Sequence, residues 1–225
     1  GGFGQLLNGF DCVAYNDLDA VARAITKNTA GILIEPVQGE GGVQVATVPF
    51  LQELRRLCDM HGLLLMCDEV QCGYGRPGSL YAYERAGITP DIVSSAKGIG
   101  GGFPLGATLL TARVAERLPV GCHGGTYNNN PLAMAVGNAV LDLVLAEGLF
   151  DQVRASGALL KTELEALAAT HPEKIRAVRG LGLMIGLEPV DDSRQLAASL
   201  LARGLVTSPT VTGVLRLMPP LTVSA

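Results

Sequence analysis

The chain has 225 residues, of which 48% are hydrophobic and 17% are charged, and its net charge is −4. This composition predicts a substantial buried core and excludes an intrinsically disordered chain. Charges of either sign form no long run, which excludes the basic patches typical of nucleic-acid-binding and membrane-surface proteins. The longest apolar stretches, such as residues 63–67, are far too short to span a bilayer, and residues 1–10 lack the pattern of a signal peptide.

The five cysteines are odd in number and show no CxxC spacing. This usage is typical of reduced thiols, so we predict a cytoplasmic protein. No two of the three histidines are paired at helical spacing, and we therefore predict no metal site.

Strand and helix patterns alternate along the first part of the chain. We predict helices over residues 17–24 and 48–61, and strands over residues 30–34, 63–67, 91–96 and 104–111. Continuous apolar strands separated by helices are typical of an α/β fold with a mainly parallel sheet covered on both faces. Such sheets place ligand sites beyond the carboxyl ends of their strands, where Asp68 and Lys97 both lie.

The pattern changes after two long predicted helices, over residues 131–146 and 150–170. The later segments predict a strand pair or one bent strand over residues 176–187, a helix over 193–203 and a strand over 214–218. We therefore predict two domains: residues 1–147 with the mostly parallel sheet, and residues 148–225 as a second, smaller α/β domain.

The segment Asp68-Glu69-Val70-Gln71 stands at the end of a predicted buried strand. A carboxylate there must be hydrogen-bonded or paired, because burying it alone is costly. One reading is an aspartate that caps the following turn. The other is a carboxylate that keeps a ring nitrogen protonated, as a pyridoxal cofactor requires when it accepts electrons.

Lys97 directly follows the next predicted strand and precedes a run of glycines. We expect its amine to be shielded from water, which favours the neutral, nucleophilic form of a lysine. The glycines leave room for a planar ligand. The alternative is a surface lysine in a flexible loop. A dinucleotide site has weak support, because Phe103 occupies the last glycine position of the GxGxxG pattern.

Three further positions carry polar or charged groups that could lie near a ligand. Thr126 lies in a hydroxyl-rich segment, residues 123–131, just before a predicted helix, where hydroxyl and backbone donors can bind a phosphate. The same segment is also explained by helix capping through Asn130. Arg216 lies inside an apolar strand and needs an anionic partner, either a structural acid or a substrate carboxylate. Glu40 follows a predicted strand between glycines and is either a loop acid or a gate near a ligand.

These segments, in this order, resemble the class III, ornithine-type aminotransferases, which have the PLP-dependent transferase fold of type I. The matching segments span nearly the whole chain: ILIEPVQGEGG, LLLMCDEVQCGYGR, PDIVSSAKGIGGGFPLGA, HGGTYNNNPLA, RGLGLMIG and VLRLMPPL. The resemblance implies that residues 1–147 are the C-terminal part of the large domain that binds pyridoxal 5′-phosphate (PLP). It implies that residues 148–225 are a small C-terminal domain, truncated at its end.

The resemblance also implies the role of each cofactor-binding residue. Lys97 would bond covalently to PLP and later move a proton as the catalytic residue. Asp68 would pair with the pyridine nitrogen, and Val70 would pack against the ring. Gln71 would bind near the phenolic oxygen, and Thr126 would reach the phosphate of the neighbouring subunit in a homodimer with shared sites. The full predicted cofactor-binding set is Asp68, Glu69, Val70, Gln71, Lys97 and Thr126.

The predicted substrate-binding set is Glu40, Gly125 and Arg216. By the family pattern, Arg216 binds a substrate carboxylate, and Glu40 pairs with it when no dicarboxylate is bound. The implied reaction is ping-pong transfer of the 5-amino group of N2-acetylornithine to 2-oxoglutarate in arginine biosynthesis. Ornithine, succinylornithine and 4-aminobutyrate are alternative amine donors. A non-catalytic, PLP-free remnant that only dimerises is a further alternative.

The sequence departs from the family pattern in three respects. The family's phosphate-binding loop, a ring-stacking aromatic residue and a substrate-binding arginine would all lie before Gly1, so we expect a fragment that is inactive alone. Asn128 and Asn129 occupy positions where glycines are usual, and asparagine is the best substitute where φ is positive. Gly125 replaces a serine or threonine and leaves only backbone atoms to contact a substrate.

Overall fold

The structure is a computed structural model and describes residues 7–224. Its strands form two sheets of four strands each. In the first sheet the strands follow chain order: β1 (Gly31–Ile34), β2 (Leu64–Asp68), β3 (Ile92–Ser95) and β4 (Ala107–Leu110). The first three are parallel and β4 is antiparallel to β3, so the prediction of a mainly parallel sheet is confirmed for this part of the chain.

The second sheet is antiparallel throughout. Its order is β5 (Ile175–Leu181), β6 (Met184–Pro189), β8 (Leu215–Leu217) and β7 (Ser208–Pro209). The predicted strand pair over residues 176–187 is thus two strands joined by a tight turn at Gly182, whose φ is +55°. The boundary between two domains near residue 148 stays a prediction.

Residues 7–224 form six α-helices: α1 (Leu18–Ala24), α2 (Val48–His61), α3 (Ala112–Ala115), α4 (Pro131–Val144), α5 (Leu149–Thr170) and α6 (Ser193–Leu201). Two 3₁₀ helices cover Ala82–Ala86 and Lys97–Gly100. The bounds of α2 agree with the prediction because its ends are marked locally. Thr47 caps the first turn by accepting from the Phe50 amide, and Gly62 ends the helix in the left-handed conformation.

The main core lies between α2 and the first sheet. The apolar face of α2 carries Leu51, Leu54 and Cys58, which pack with Leu65 of β2 and Val93 of β3. Leu51 and Leu65 are 0% exposed. Truncating a leucine in such a core typically costs about 2–5 kcal/mol, so this layer fixes the position of the sheet and of the loops at its edges.

Asp91 ties together the edge of the first sheet opposite the carboxyl ends of β1–β3. Its carboxylate accepts from the Leu65 amide at 2.9 Å, from Arg55 at 2.8 Å and from Arg113 at 2.6 Å. Burial alone raises the pKa of Asp91, but these hydrogen bonds and the charge of Arg55 outweigh it and leave the pKa below its usual value. The cluster joins β2, β3, α2 and α3.

Two arginines join the loops of the first sheet to the second sheet. Arg76 donates to the carbonyls of Leu183 at 3.1 Å and Pro219 at 2.5 Å. Arg179, on β5, donates to the Gly42 carbonyl at 2.8 Å. These contacts hold loops that follow β1 and β2 against the second sheet, so the two sheets position one set of loops together.

The helix α4 is strongly apolar but largely exposed. Its buried residues are Ala133 and Val144, whereas Leu132 and Leu143 are 63% and 70% exposed. No single helix within residues 7–224 is both long and apolar enough to cross a membrane, and α4 and α5 meet that test only as a pair bent by 67°.

Candidate active site

The candidate site lies beyond the carboxyl ends of β1, β2 and β3, as the sequence predicts. Asp68 is the last residue of β2 and is opposite Ser94 in the parallel register of β3. The Glu69 amide continues this pairing by donating to the Ser94 carbonyl at 2.9 Å. Lys97 follows β3 by two residues. The parallel pairing therefore brings Asp68 and Lys97 to one edge, although 29 positions separate them in the sequence.

The Asp68 carboxylate is half-buried and held in one orientation. Its Oδ1 accepts from the Val70 amide at 3.0 Å and from the Ser94 hydroxyl at 3.2 Å. Within the described part of the chain, Oδ2 has no hydrogen-bond partner. One oxygen is thus used by the protein and the other is available to an N–H donor. The free acceptor oxygen fits the protonated pyridine nitrogen of PLP. Asp68 also caps the following turn, as the alternative prediction has it, because Oδ1 accepts from the Val70 amide.

Glu69 is a structural acid rather than a residue that faces the edge. It is 1% exposed, and its carboxylate accepts from the amides of Ala82 and Tyr83 at 3.0 and 2.9 Å and from the Cys72 thiol at 3.2 Å. Burial raises the pKa of Glu69 to about 7, despite these hydrogen bonds. Glu69 therefore shapes the loop after β2, and its predicted contact with a cofactor stays a prediction.

Lys97 differs from the expectation in one respect. It is exposed, so the prediction of a side chain shielded from water is wrong for the described residues. The expectation assumed that a residue next to an apolar strand is covered. β3 ends at Ser95, and Lys97 already belongs to a 3₁₀ turn outside the sheet.

Strained backbone clusters around the candidate site. Among residues 7–224, five non-glycine residues have positive φ. Val43 (54°), Tyr74 (57°) and Lys97 (51°) follow β1, β2 and β3, whereas Asn129 (56°) precedes α4 and Asn16 (62°) precedes α1. The left-handed conformation costs roughly 1–2 kcal/mol per L-residue, and such strain concentrates at functional sites. The strain at Lys97 and Val43 is therefore an independent reason to assign function to these loops.

Arg216, Glu40 and Gln71 lie together, and their binding of a substrate carboxylate stays a prediction. Nη1 of Arg216 lies 2.8 Å from Glu40 Oε1 and 2.8 Å from Gln71 Oε1. The Arg216 side chain is 10% exposed, whereas that of Glu40 is 60% exposed. The Glu40 carboxylate is therefore the solvated member of the pair, and it could move into water and leave Arg216 free to bind another carboxylate.

The segment of residues 121–130 is exposed and belongs to neither sheet. Thr126 and Gly125 are both exposed. His123 Nε2 lies 3.3 Å from the side-chain nitrogen, Nδ2, of Asn128. Asn130 caps α4 by accepting from the Ala133 amide at 2.8 Å, which confirms the capping reading. Whether Thr126 also binds a phosphate stays a prediction.

The two asparagines that replace usual glycines behave differently. Asn129 has a φ of +56°, and Asn128 is not among the described residues with positive φ. The expectation of positive φ is thus met at Asn129 alone. Asparagine tolerates that conformation better than most residues, so the local fold survives the replacement.

Sequence reasoning missed three residues that organise the site. Ser94 orients Asp68, the Ser208 hydroxyl accepts from Arg216 Nη2 at 3.2 Å, and Arg179 holds the loop that carries Glu40 through the Gly42 carbonyl. Ser94 could have been found from the pairing of two parallel strands at Asp68. The other two contacts join distant segments and leave no local signal.

Two concavities lie away from the candidate site. One of about 530 Å³ surrounds Asp91 at the opposite edge of the first sheet, and one of about 300 Å³ lies beside Glu188 and Asp192. Among residues 7–224, no group of three or more histidine, cysteine or acidic residues is placed to hold a metal ion.

The fold and the site define an α/β protein of the PLP-dependent aminotransferase type. The model of the family described as aminotransferase class-III matches residues 7–225. The chain therefore belongs to the class-III aminotransferase family, as the resemblance predicted, and the predicted fold class is confirmed.

Relatives with this fold are named for ornithine-derived substrates. The acetylornithine aminotransferases of Mesorhizobium japonicum and Agrobacterium fabrum are each 50% identical to this chain over 99% and 100% of its length. The chain spans 56% of the length of each of these relatives.

Solved structures show the same fold. The ornithine aminotransferase of Toxoplasma gondii has a TM-score of 0.93 at 33% identity, covering 99% of this chain and 54% of that one. The acetylornithine aminotransferase of Elizabethkingia anophelis has a TM-score of 0.88 at 36% identity, covering 94% of this chain and 57% of that one.

Proposed function

We propose that the full-length polypeptide encoded by the gene is a PLP-dependent aminotransferase. It transfers the 5-amino group of N2-acetylornithine to 2-oxoglutarate in a ping-pong reaction. The observation that carries this proposal is the Glu40–Arg216 pair, 2.8 Å apart beside Gln71, because it provides a carboxylate site with a removable acid. The names of the relatives that are 50% identical support the same substrate class.

PLP is the cofactor that fits the acceptor oxygen of Asp68 and the amine of Lys97. When bound, it supplies an electron sink for the substrate carbon. Asp68 Oδ2 would accept the pyridine N–H and keep it protonated, while Ser94 and the Val70 amide hold Oδ1. A Toxoplasma gondii ornithine aminotransferase has been described with partial PLP occupancy at its active site, which supports this choice.

The chain's own groups have separable tasks in this proposal. The Lys97 amine would hold the cofactor and move the proton between substrate carbon and cofactor. Val70 would pack on the ring, and Thr126 would bind the phosphate of the neighbouring subunit in a homodimer. Arg216 would bind the distal carboxylate of 2-oxoglutarate after Glu40 leaves, and Glu40 would return when the amine donor binds.

The choice of amine donor is tested by substrate comparison. The full-length polypeptide should transfer the amino group of N2-acetylornithine much faster than that of free ornithine or 4-aminobutyrate. Faster transfer from free ornithine would replace the proposed donor. Succinylornithine is the alternative with a specific observation in its favour, because a Pseudomonas aeruginosa relative, 44% identical over 89% of this chain, is named for both acyl donors.

We also propose that residues 1–225 alone transfer no amino groups. Lys97 and Thr126 are both exposed in the described structure, so the pocket walls that would shield them must come from elsewhere. Purified chain of this length, assayed with PLP, acetylornithine and 2-oxoglutarate, should form no glutamate above the background. Measurable transfer would contradict this proposal. Arginine biosynthesis and a cytoplasmic location stay predictions.

A further inference from the structure

The surroundings of Arg216 contain more than the removable acid. Its guanidinium contacts three side chains: Glu40 and Gln71 at Nη1, both at 2.8 Å, and Ser208 at Nη2, at 3.2 Å. Only Glu40 is charged. Neither Gln71 nor Ser208 belongs to the loop that carries Glu40. Gln71 lies in the loop after β2, and Ser208 lies in the strand β7. Arg216 therefore has two neutral partners that do not depend on the Glu40 loop.

These partners matter at the moment when Glu40 leaves. Arg216 is 9% exposed, and a buried cation without partners carries a large desolvation penalty. Without other acceptors, the guanidinium would follow Glu40 or turn toward solvent. Neutral acceptors reduce the penalty and keep the donor direction fixed, and they do not compete with an incoming carboxylate for charge.

We propose that Gln71 and Ser208 are positioning residues that hold Arg216 aimed at the carboxylate site while Glu40 is displaced. They thereby set the affinity of the site for the dicarboxylate substrate, and Ser208 does so without a predicted contact with the cofactor. This inference rests on the proposed function and names residues that act through Arg216.

Gly39 determines the position of the Gln71 carboxamide. The Gly39 amide donates to Glu35 Oε2 at 2.9 Å, which fixes the backbone just before Glu40. A Cβ atom at position 39 would lie 1.9 Å from Gln71 Oε1 and 2.5 Å from its Cδ. The carboxamide thus occupies the space that only glycine leaves open. A side chain at this position would push Gln71 off Arg216 without changing the chemistry of either residue.

Ser208 is positioned by strand pairing. It is directly opposite Arg216 in the antiparallel register of β7 and β8, and opposite residues project from the same face. The turn between the strands is fixed by buried Thr210, whose amide donates to the Val214 carbonyl at 2.8 Å and whose hydroxyl accepts from the Val214 amide at 3.1 Å. Ser208 therefore stays beside Arg216 whatever the Glu40 loop does.

The test uses the PLP-loaded full-length polypeptide and glutarate, a dicarboxylate that cannot accept an amino group. Gly39→Ala displaces Gln71, and its matched control is Gly41→Ala, whose Cβ would meet the end of Gln38, 2.7 Å away, instead. Ser208→Ala removes the second partner, and its control is Ser199→Ala on the exposed surface of α6. Glutarate affinity is measured by calorimetry, and each half-reaction is measured separately.

Losing one neutral hydrogen bond to a cation should weaken glutarate binding about three- to tenfold in Gly39→Ala and in Ser208→Ala. The KM for 2-oxoglutarate should rise by the same factor. In Ser208→Ala the rate of the amine-donor half-reaction should stay within about twofold of wild type. Gly39→Ala also moves Gln71, which is predicted to bind near the cofactor, so its amine-donor half-reaction is expected to slow as well. Both control variants should bind glutarate as wild type does, and Ser208→Thr, which keeps the hydroxyl, should restore the affinity.

Two results would overturn the inference. One is unchanged glutarate affinity in both Gly39→Ala and Ser208→Ala when circular dichroism shows wild-type folding. The other is an equal slowing of the two half-reactions in Ser208→Ala, which would indicate a general structural effect. Failure of the proposed function looks different, because wild-type protein would then show no amine-donor half-reaction at all.

Discussion

Two aspartates of the first sheet have opposite uses of their oxygens. Asp91, at the amino end of β3, has both oxygens engaged, by the Leu65 amide and by two arginines. Asp68, at the carboxyl end of β2, has one oxygen engaged and the other without a partner in the described residues. The first arrangement stabilises the fold, and the second leaves a charge that a ligand can use. An aspartate thus stabilises the fold at one edge of the sheet, and an aspartate at the other edge is proposed to bind the cofactor.

The largest effect expected at the chemical edge is the loss of Lys97. In the full-length polypeptide, Lys97→Ala should lower the rate of amino transfer by at least about 100-fold, because Lys97 is the group proposed to move the proton. The visible absorbance of a covalently held cofactor should disappear with it. An absorbance spectrum identical to wild type would refute the assignment of Lys97. Lys161→Ala, on the exposed side of α5, is the control.

The largest effect expected at the structural edge is the loss of Asp91. Asp91→Ala should lower the free energy of unfolding by about 3 kcal/mol, because it leaves the buried Arg55 without its main partner. Asp68→Asn keeps an acceptor for Ser94 and should cost less than about 1 kcal/mol. Urea unfolding of the full-length polypeptide measures both. Equal losses would remove the distinction between the two edges.

The pH dependence of stability should differ between two acids of the sheet. Glu69 has a folded pKa of about 7, above its usual value of about 4.3. Between these values the folded state keeps a proton that the unfolded state has released, so the free energy of unfolding falls as pH rises from about 4 to 7 and then levels off. Glu69→Gln should remove this decline in a urea titration series.

Asp91 should act in the opposite direction. Its folded pKa is below the usual value, so its contribution is complete above about pH 4 and is lost as pH falls through the folded value. Asp91→Asn should therefore flatten the acid limb of the same titration series. An acid limb that persists unchanged in Asp91→Asn would show that other carboxylates cause it.

The smallest effect expected is a gain of stability at Lys97. Its φ of +51° is strained for lysine and unstrained for glycine. Lys97→Gly should raise the free energy of unfolding by roughly 0.5–1 kcal/mol while abolishing amino transfer. Lys97→Ala keeps the strain and should show no such gain. A loss of stability in Lys97→Gly would mean that the lysine side chain, and not the backbone, determines the local fold.

Local signals explain which parts of the fold could be predicted. The α2 helix has a cap, a stop and a periodic apolar face, so its bounds follow from the sequence. The two-residue strand β7 was missed because it exists only through its pairing with β8. The antiparallel direction of β4 also depends on a partner, since the same apolar run would fit either direction.

The site shows the same limit. Asp68, Lys97, Glu40 and Arg216 are predicted because each is an unusual residue after a strand or within one, and the role of Gln71 comes from the family resemblance. The exposure of Lys97 was not foreseen because coverage depends on distant segments. Arg179 was missed for a related reason, since its contact with the Gly42 carbonyl joins positions 137 residues apart.

The Glu40–Arg216 pair also bears on how the protein matures. Its residues are 176 positions apart, and those of the Gln71–Arg216 contact are 145 apart. Closing loops of this length is slow relative to local pairing, and Arg216 leaves the ribosome long after Glu40. We therefore expect nascent chains to form the Asp68 edge first and to gain dicarboxylate recognition last. Binding of a dicarboxylate would then indicate that the chain has completed folding.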